Sequence, residues 1–284
     1  MRTESRITHC LAWTAAACIA AAVVVFAAVS AAGPSAAVVS MPRPAAGPPW
    51  WVSLHPQAIQ LTLLLWGATA VGIAGVVAGL AAVARGARLP AQAILIFSFL
   101  SVAVLTVLPP AGSTDILDYA ANGRMVVTGH SPYVETPLRL KESGDPVGRW
   151  IPQFWQTAVS VYGPAATAEE WAAAELGGTS VARITLWLKI WDAIAFGAVA
   201  VMLDRVLRSD PARRLRGHLL WTVNPLVLWE IIASGHVDGV SAAFGLLGIL
   251  ARRGGPRRTG GAGRERPPLR QFALAGVAVG VAAA

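Results

Sequence analysis

The feature that most constrains the fold is a series of long apolar runs separated by short polar segments. The runs lie at about 10–32, 58–83, 91–108, 184–203, 219–234, 239–251 and from 271 onward. Because a helix rises ~1.5 Å per residue, about 20 apolar residues cross the ~30 Å hydrocarbon core of a bilayer. With 55% hydrophobic and 13% charged residues, the chain is predicted to be an all-α, polytopic transmembrane protein with roughly seven crossings.

The distribution of basic residues predicts the orientation of these helices. If the N-terminus is cytoplasmic, most of the 23 Lys and Arg residues fall in loops on the inner side. The positive-inside rule then places the long segment 110–182 on the outer face of the cytoplasmic membrane. The net charge of +8 therefore reflects topology and the lipid bilayer. No nucleic-acid partner is predicted, since the Arg-rich segment 252–270 is short and has no aromatic residue.

These patterns divide the chain into three parts. Residues 1–109 carry about three N-terminal membrane helices, residues 110–182 form an extracytoplasmic loop with short juxtamembrane helices, and residues 183–284 hold further helices with Arg-rich cytoplasmic loops. The start of the chain resembles a signal peptide, but its apolar run is longer than a typical h-region, which favours an uncleaved anchor. The last apolar stretch is too short to cross a membrane, so we expect a fragment of a longer polytopic protein.

Two carboxylates lie directly after the third apolar run. Ser113 or Thr114 suits an N-cap, and a short helix is expected to run to about Thr128 and to stop at Gly129. Helical spacing places one group of polar side chains on a common face: Asp115, Asp118, Tyr119 and Asn122. Ionisable groups at a membrane boundary favour a functional role. A capped, solvated juxtamembrane helix is the open alternative.

A second group of ionisable residues lies between two strongly basic flanks. The 33 residues from 219 to 251 give ~50 Å of helix, whereas two full crossings need ~60 Å. The tip at 234–239 is therefore predicted to be recessed below the outer surface, where His236 and Asp238 line a pocket with Glu230 and Asn224 deeper in it. Alternatively, His236 and Asp238 satisfy a tight turn.

Three further patterns concern packing. Trp150 and Trp155 are typical of interfacial anchors. Pro164 favours the first turn of a helix that extends to residue 176. Lys189 and Asp192, three residues apart in a predicted helix, are expected to neutralise each other.

Four motifs in a fixed order resemble those of the polyprenol-phosphate-mannose-dependent alpha-1,6-mannosyltransferases, which are membrane glycosyltransferases of the GT-C class that act in lipomannan assembly of the cell envelope. The motifs are DILDYAANGR at 115–124 with GHSPY at 129–133, VYGP at 161–164, NPL at 224–226 and SGHVD at 234–238. The resemblance covers roughly residues 100–245, and Val237 stands where the family commonly has Asn.

The resemblance implies an inverting transfer of mannose from a polyprenyl-phosphate-linked donor to a glycolipid or mannan acceptor. Asp115 matches the general base, with Asp118 as a runner-up or helper, and Arg124, His236 and Arg183 are candidates to face the leaving phosphate. The expected substrate-binding residues are Arg124, Tyr133, Tyr162, His236, Asp238 and Glu230. No cofactor is expected, and a divalent metal between Asp115 and Asp118 is left unassigned.

Three other functions stay open at this stage. A related GT-C enzyme would use another lipid-linked sugar, such as arabinose or glucose. A transporter or flippase would concentrate ionisable residues near the bilayer midplane and often show repeated halves, and no internal repeat is visible. A non-catalytic envelope assembly protein would explain the helices but not a recessed His236 and Asp238.

Overall fold

The computed structural model describes residues 2–253, and within this range the chain folds into helices joined by turns. The apolar run from residue 271 and nearly all of the Arg-rich segment lie outside the described residues. The α-helices are α1 (Arg2–Ala31), α2 (Ala58–Ala84), α3 (Ala91–Thr106), α4 (Asp115–Val127), α5 (Leu138–Glu142), α6 (Pro164–Gly177), α7 (Val181–Leu207), α8 (Pro211–Gly217), α9 (Pro225–Val227) and α10 (Asp238–Arg253). Wider π-type turns occupy His218–Thr222 and Leu228–Ala233.

The membrane-spanning helices confirm the predicted all-α, polytopic class. Three helices are long and apolar enough to cross a bilayer, namely the Arg6–Ala31 part of α1, α2 and α7. The stretches Pro211–Ala233 and Asp238–Ala251 pass the same test only as a pair, bent by 119° at a short break. Helix α3 is shorter, with 16 residues. The described part of the chain thus has three candidate spans, or four with the bent pair, whereas apolar length predicted about six crossings there and a seventh from residue 271, outside the described residues.

Close packing of α1 on α2 depends on small residues. A Cβ atom on Gly75 would lie 2.9 Å from Cys18 Cβ and 3.1 Å from the Ala15 carbonyl oxygen. Small residues of this kind let the backbones of membrane helices approach closely. In lipid the hydrophobic effect does not drive helices together, so this van der Waals packing contributes to their association.

Helix α7 is fixed to the end of α3 by Lys189. Its ammonium group is buried and donates to the carbonyl oxygens of Leu105, at 2.6 Å, and Leu108, at 2.9 Å. A cation at a helix C-terminus satisfies carbonyls that lack an intrahelical partner and complements the helix dipole. No hydrogen bond joins Lys189 to Asp192, its predicted partner for charge neutralisation, and the Asp192 carboxylate oxygens are buried without a hydrogen-bond partner among the described residues.

Extended backbone joins the loop between α1 and α2 to the start of α4 and to the bend near residue 234. Val39 N donates to Pro110 O at 3.1 Å, and Gly112 N donates to Ala37 O at 2.8 Å. On the other side, the Ala111 N–H donates to the Ala233 carbonyl oxygen at 3.0 Å, and the Ser234 hydroxyl donates to the Ala111 carbonyl oxygen at 2.7 Å. These bonds place segments 37–39, 110–112 and 233–234 side by side in one backbone layer.

Helices α4 and α6 have the bounds that their local sequence predicts. Ser113 Oγ accepts the backbone N–H of Asp115 at 3.1 Å, and Gly129 follows the C-terminus with φ +83°. Pro164 occupies the first turn of α6, where its missing N–H costs no hydrogen bond. The predicted boundary at 109/110 falls between α3 and α4, while that at 182/183 falls just inside α7.

Candidate active site

Asp115 and His236, which are far apart in the sequence, meet near the C-terminal end of α3, where α4 begins. Asp115 is the first residue of α4, and His236 lies in the break between Ala233 and α10. The Nδ1 atom of His236 is 3.9 Å from Asp115 Oδ2. This distance is too long for a direct hydrogen bond and gives an electrostatic contact. Because 30% of the Asp115 side chain and 19% of the His236 side chain are exposed, a substrate can reach both groups.

Two more carboxylates surround the same imidazole. Glu230 Oε2 lies 3.9 Å from His236 Nε2, and Asp238 Oδ2 lies 3.9 Å from His236 Nδ1. Both carboxylates are mostly exposed, unlike the histidine between them. Three acidic groups from α4, the turn at Leu228–Ala233 and α10 therefore converge on one ring, which is more than a tight turn needs.

Two tyrosines form a chain of hydrogen bonds that ends at the histidine. Tyr119 Oη lies 3.0 Å from Tyr162 Oη and 3.4 Å from His236 Nδ1, and the two phenol rings meet edge to face at 5.3 Å. Burial and the Tyr162 hydrogen bond raise the pKa of Tyr119 well above its usual range. Burial likewise raises the pKa of Tyr162. Both hydroxyls therefore stay protonated; Tyr119 is hydrogen-bonded to the imidazole, and Tyr162 is hydrogen-bonded to Tyr119.

The position of Tyr119 was predicted, but its contact with His236 was not. Tyr119 lies one helical turn after Asp115, and this spacing was the available signal that the two side chains share a face. Its partner is 117 residues away, so no local pattern indicates the contact.

Asp118 points away from this site and into the interface between α4 and α6. It is 6% exposed, and the amide nitrogen of Asn122 donates to its Oδ2 at 3.3 Å. Burial raises the pKa of Asp118 to about 7, offset in part by the Asn122 bond. The single polar face predicted for α4 is thus divided: Tyr119 joins Asp115, whereas Asp118 and Asn122 are buried.

A group of buried carboxyls lies on the α6 side of this interface. Burial raises the pKa of Glu169 to about 8 and that of Glu170, also repelled by Asp118, well above its ordinary value. Their carboxyl oxygens have no hydrogen-bond partner within the described part of the chain. Since protonation removes the cost of burying these charges, the cluster is neutral near pH 7 and serves packing between α4 and α6.

We predict that Asp118→Asn stabilises the protein above pH 7. The folded chain holds a proton on Asp118 up to about pH 7, whereas the unfolded chain releases it near 3.8, so wild-type stability falls as the pH rises through this window. Asparagine does not ionise, so the free energy of unfolding of the variant does not fall over this pH range through this position. At about pH 8 the variant should unfold with a free energy higher by about 2 kcal/mol. Thermal unfolding at about pH 8 and pH 4 measures this, and an equal difference at both pH values would contradict it.

Two residues predicted to bind substrate instead pair with other side chains of segment 110–182. Arg124 Nε contacts Asp145 Oδ2 at 2.9 Å, with both side chains largely buried, and Tyr133 Oη lies 2.7 Å from Thr167 Oγ1. Arg183 is exposed at the start of α7. None of these three side chains contacts Asp115 or His236 through a hydrogen bond or an ion pair in the described structure.

The predicted site residues thus separate into two sets. The structure brings Asp115, Asp238 and Glu230 to the imidazole of His236, with Tyr162 linked to it through Tyr119. It places Asp118, Arg124 and Tyr133 in other contacts. Asn224, expected deeper in the pocket, accepts the backbone N–H of Leu226 at 3.0 Å and caps α9. The NPL motif therefore starts a short helix.

The donor set does not match a metal site. Among residues 2–253, no group of three or more His, Cys, Asp or Glu side chains is arranged to hold a metal ion. Asp115 and Asp118 project into different surroundings, so the two carboxylates considered from the sequence do not form a chelating pair.

Comparison with known proteins identifies a family. A family model described as "Alpha-(1->6)-mannopyranosyltransferase, N-terminal domain" matches residues 14–284. No curated protein and no solved structure matches the chain.

Proposed function

The chain belongs to the alpha-(1->6)-mannopyranosyltransferase family of glycosyltransferases, and we propose that it moves mannose from a polyprenyl-phosphate donor to a growing α-1,6-mannan. The transfer takes place on the outer face of the cytoplasmic membrane, where the basic-residue distribution places segment 110–182. Membership in a glycosyltransferase family decides against the transporter and the non-catalytic assembly protein.

One observation carries the proposal: a half-exposed carboxylate and an imidazole from distant parts of the chain meet beside the membrane helices. Asp115 and His236 lie 3.9 Å apart. Glycosyl transfer from a lipid phosphate needs a base for the acceptor and a donor group for the departing phosphate. The two residues supply both at neighbouring positions.

Asp115 acts as the general base. Its carboxylate takes the proton of the acceptor hydroxyl while that oxygen attacks C1 of the β-linked mannosyl group from the opposite face. The bond between C1 and the phosphate oxygen breaks, and its electron pair leaves with the lipid phosphate. The product is an α-mannoside, so the configuration is inverted. For this step the acceptor hydroxyl must come within about 3 Å of the carboxylate.

His236 faces the phosphate that leaves. Negative charge grows on the phosphate oxygens as the bond to C1 breaks, and an N–H aimed at them lowers the barrier. Tyr119, 3.4 Å from Nδ1, orients the ring. This leaves Nε2 to face the donor, at the side where Glu230 lies.

The bent pair of helices supports a donor site at the membrane surface. A lipid-linked donor keeps its phosphate at headgroup level while its prenyl chain stays in the hydrocarbon. The break between Ala233 and Asp238 turns the chain by 119°, as a recessed tip requires. Irregular backbone at such depth is tolerated where it is covered by protein or lines a wet cavity.

We expect His236→Gln to lower kcat/KM for the lipid-phosphate donor by about 10²-fold, because the leaving phosphate loses its facing N–H. The KM for the acceptor should stay unchanged, since the base is intact. Steady-state kinetics with the donor and the acceptor varied separately measure the two effects. His55→Gln, which changes an exposed histidine before α2, is the matched control. Equal losses in the two variants would contradict the role of His236.

The proposal as a whole is tested with the purified full-length chain in lipid nanodiscs. Supplied with polyprenyl-phosphate mannose and an α-1,6-mannotriose acceptor, the protein should extend the acceptor by one α-1,6-linked mannose, identified by mass and by linkage-specific mannosidase digestion. Transfer from a glucose or arabinose donor in place of mannose would identify a different sugar specificity. Absence of transfer from all three donors would refute the proposed activity.

A further inference from the structure

A cavity lies beside the start of α4. Its volume is about 450 Å³, within the ~300–1,000 Å³ typical of small-molecule sites. Three segments form its walls, namely residues 35–40 between α1 and α2, residues 112–117 at the start of α4, and residues 149–152. None of the side chains that converge on His236 belongs to this lining.

The walls of this cavity are held in place by backbone hydrogen bonds. Segments 37–39 and 110–112 are bonded to each other, and Ala111 is bonded in turn to Ala233 and Ser234. Ser113 lines the cavity and also accepts the Asp115 N–H. The cavity is therefore preformed, so binding there costs little ordering of the chain.

The chemistry of the lining suits a sugar. Arg149 is exposed, and its guanidinium has no hydrogen-bond or ion-pair partner among residues 2–253. The hydroxyl groups of Ser40 and Thr114 are likewise without partners in the described part of the chain. Beside them lies the half-buried indole of Trp150. A guanidinium donor and free hydroxyls can bond to sugar hydroxyls, and an aromatic face attracts the C–H groups of a pyranose ring.

We propose that this cavity binds an internal hexose of the acceptor glycan, one or two units before the hydroxyl that reacts. The inference rests on the proposed function, and it names the acceptor side of that site. Thr114 in the cavity wall is followed directly by Asp115, so a glycan bound here extends from the cavity to the base. A single cation among hydroxyls and an indole suits a neutral sugar better than a phosphate, which favours several donors or cations.

Occupancy of the cavity predicts a preference for longer acceptors. Binding energy from a sugar remote from the reacting hydroxyl is available to hold that hydroxyl against the base. A trisaccharide that fills the cavity should therefore react better than a monosaccharide that cannot reach from Asp115 to Trp150.

Direct binding tests the inference without catalysis. In Ser40→Trp an indole at an exposed wall position fills the cavity, and in Ser131→Trp the same change is made at an exposed position outside it. With methyl α-1,6-mannotrioside and the full-length chain in nanodiscs, calorimetry should give a Kd at least tenfold higher for S40W and an unchanged Kd for S131W. An unchanged Kd for S40W, or no binding by the wild type, would overturn the inference.

Arg149→Gln provides a second test that does not depend on how S40W folds. Loss of charged hydrogen bonds to the sugar should raise the trisaccharide Kd by about tenfold, with little change for methyl α-mannoside. Equal affinity of R149Q and wild type for the trisaccharide would overturn the inference. The failure of the proposed function looks different, because the wild type would then bind the trisaccharide through this cavity but transfer no mannose to it.

Discussion

Asp115→Asn is expected to lower the rate of mannosyl transfer by about 10²–10⁴-fold. The amide is nearly the same size as the carboxylate but cannot accept the proton of the acceptor hydroxyl, so the attacking oxygen keeps its hydrogen. Because 30% of the Asp115 side chain is exposed and its contact with His236 is 3.9 Å long, the fold should tolerate the change. The loss should therefore appear in kcat, with the donor KM little altered.

The measurement is single-turnover transfer from polyprenyl-phosphate mannose to α-1,6-mannotriose, with unfolding temperatures recorded in parallel. Glu142→Gln is the matched control, since it neutralises another carboxylate of the outer segment that is exposed and should leave the rate unchanged. A D115N protein that transfers mannose within about threefold of wild type would exclude Asp115 as the base.

Gly123→Ala is expected to destabilise the protein more than any surface change. A Cβ atom on Gly123 would overlap the backbone carbonyl group of Glu170, and it would lie 3.1 Å from Ala174 Cβ. Neither helix can yield by rotating a side chain, so α4 and α6 must separate. Overpacking of this kind costs about 3 kcal/mol, which lowers the unfolding temperature by roughly 6–12 °C. Transfer activity should fall too, since Asp115 lies on the displaced helix.

Thermal unfolding by intrinsic fluorescence measures this change. Gly67→Ala is the matched control, because Gly67 also lies within a helix but a Cβ atom there meets nothing within 4 Å. Alanine at that position should be neutral or slightly stabilising, through its higher helix propensity. An unfolding temperature for G123A equal to that of G67A would show that α4 and α6 can move apart at no cost.

Local chemistry in the sequence was sufficient to predict the helices. The bounds of α4 follow from a hydroxyl before Asp115 and a glycine after Thr128, and the start of α6 follows from Pro164. Such signals act over a few residues, so they can be recognised in the sequence alone. The prediction that His236 is recessed rests on a length argument, which needs only the helical rise and the thickness of a bilayer.

The partners of charged residues could not be predicted in the same way. Arg124 pairs with Asp145, 21 residues on, and Lys189 bonds to carbonyls more than 80 residues away. Helical spacing places Asp118 beside Asp115, but it does not say that α6 covers one of the two carboxylates. The site residues Asp115 and His236 were predicted from motifs, while their support by Tyr119 depends on how the helices assemble.

The short helix α3 has a consequence for the lipid around the site. Its 16 residues give ~24 Å of helix, less than the ~30 Å hydrocarbon core, and the ammonium of Lys189 binds the carbonyls at its C-terminal end. A bilayer meets a short helix by becoming thinner. We expect the outer leaflet to dip beside α3, so that headgroups descend toward His236 and a prenyl-linked substrate arrives without being lifted out of the membrane.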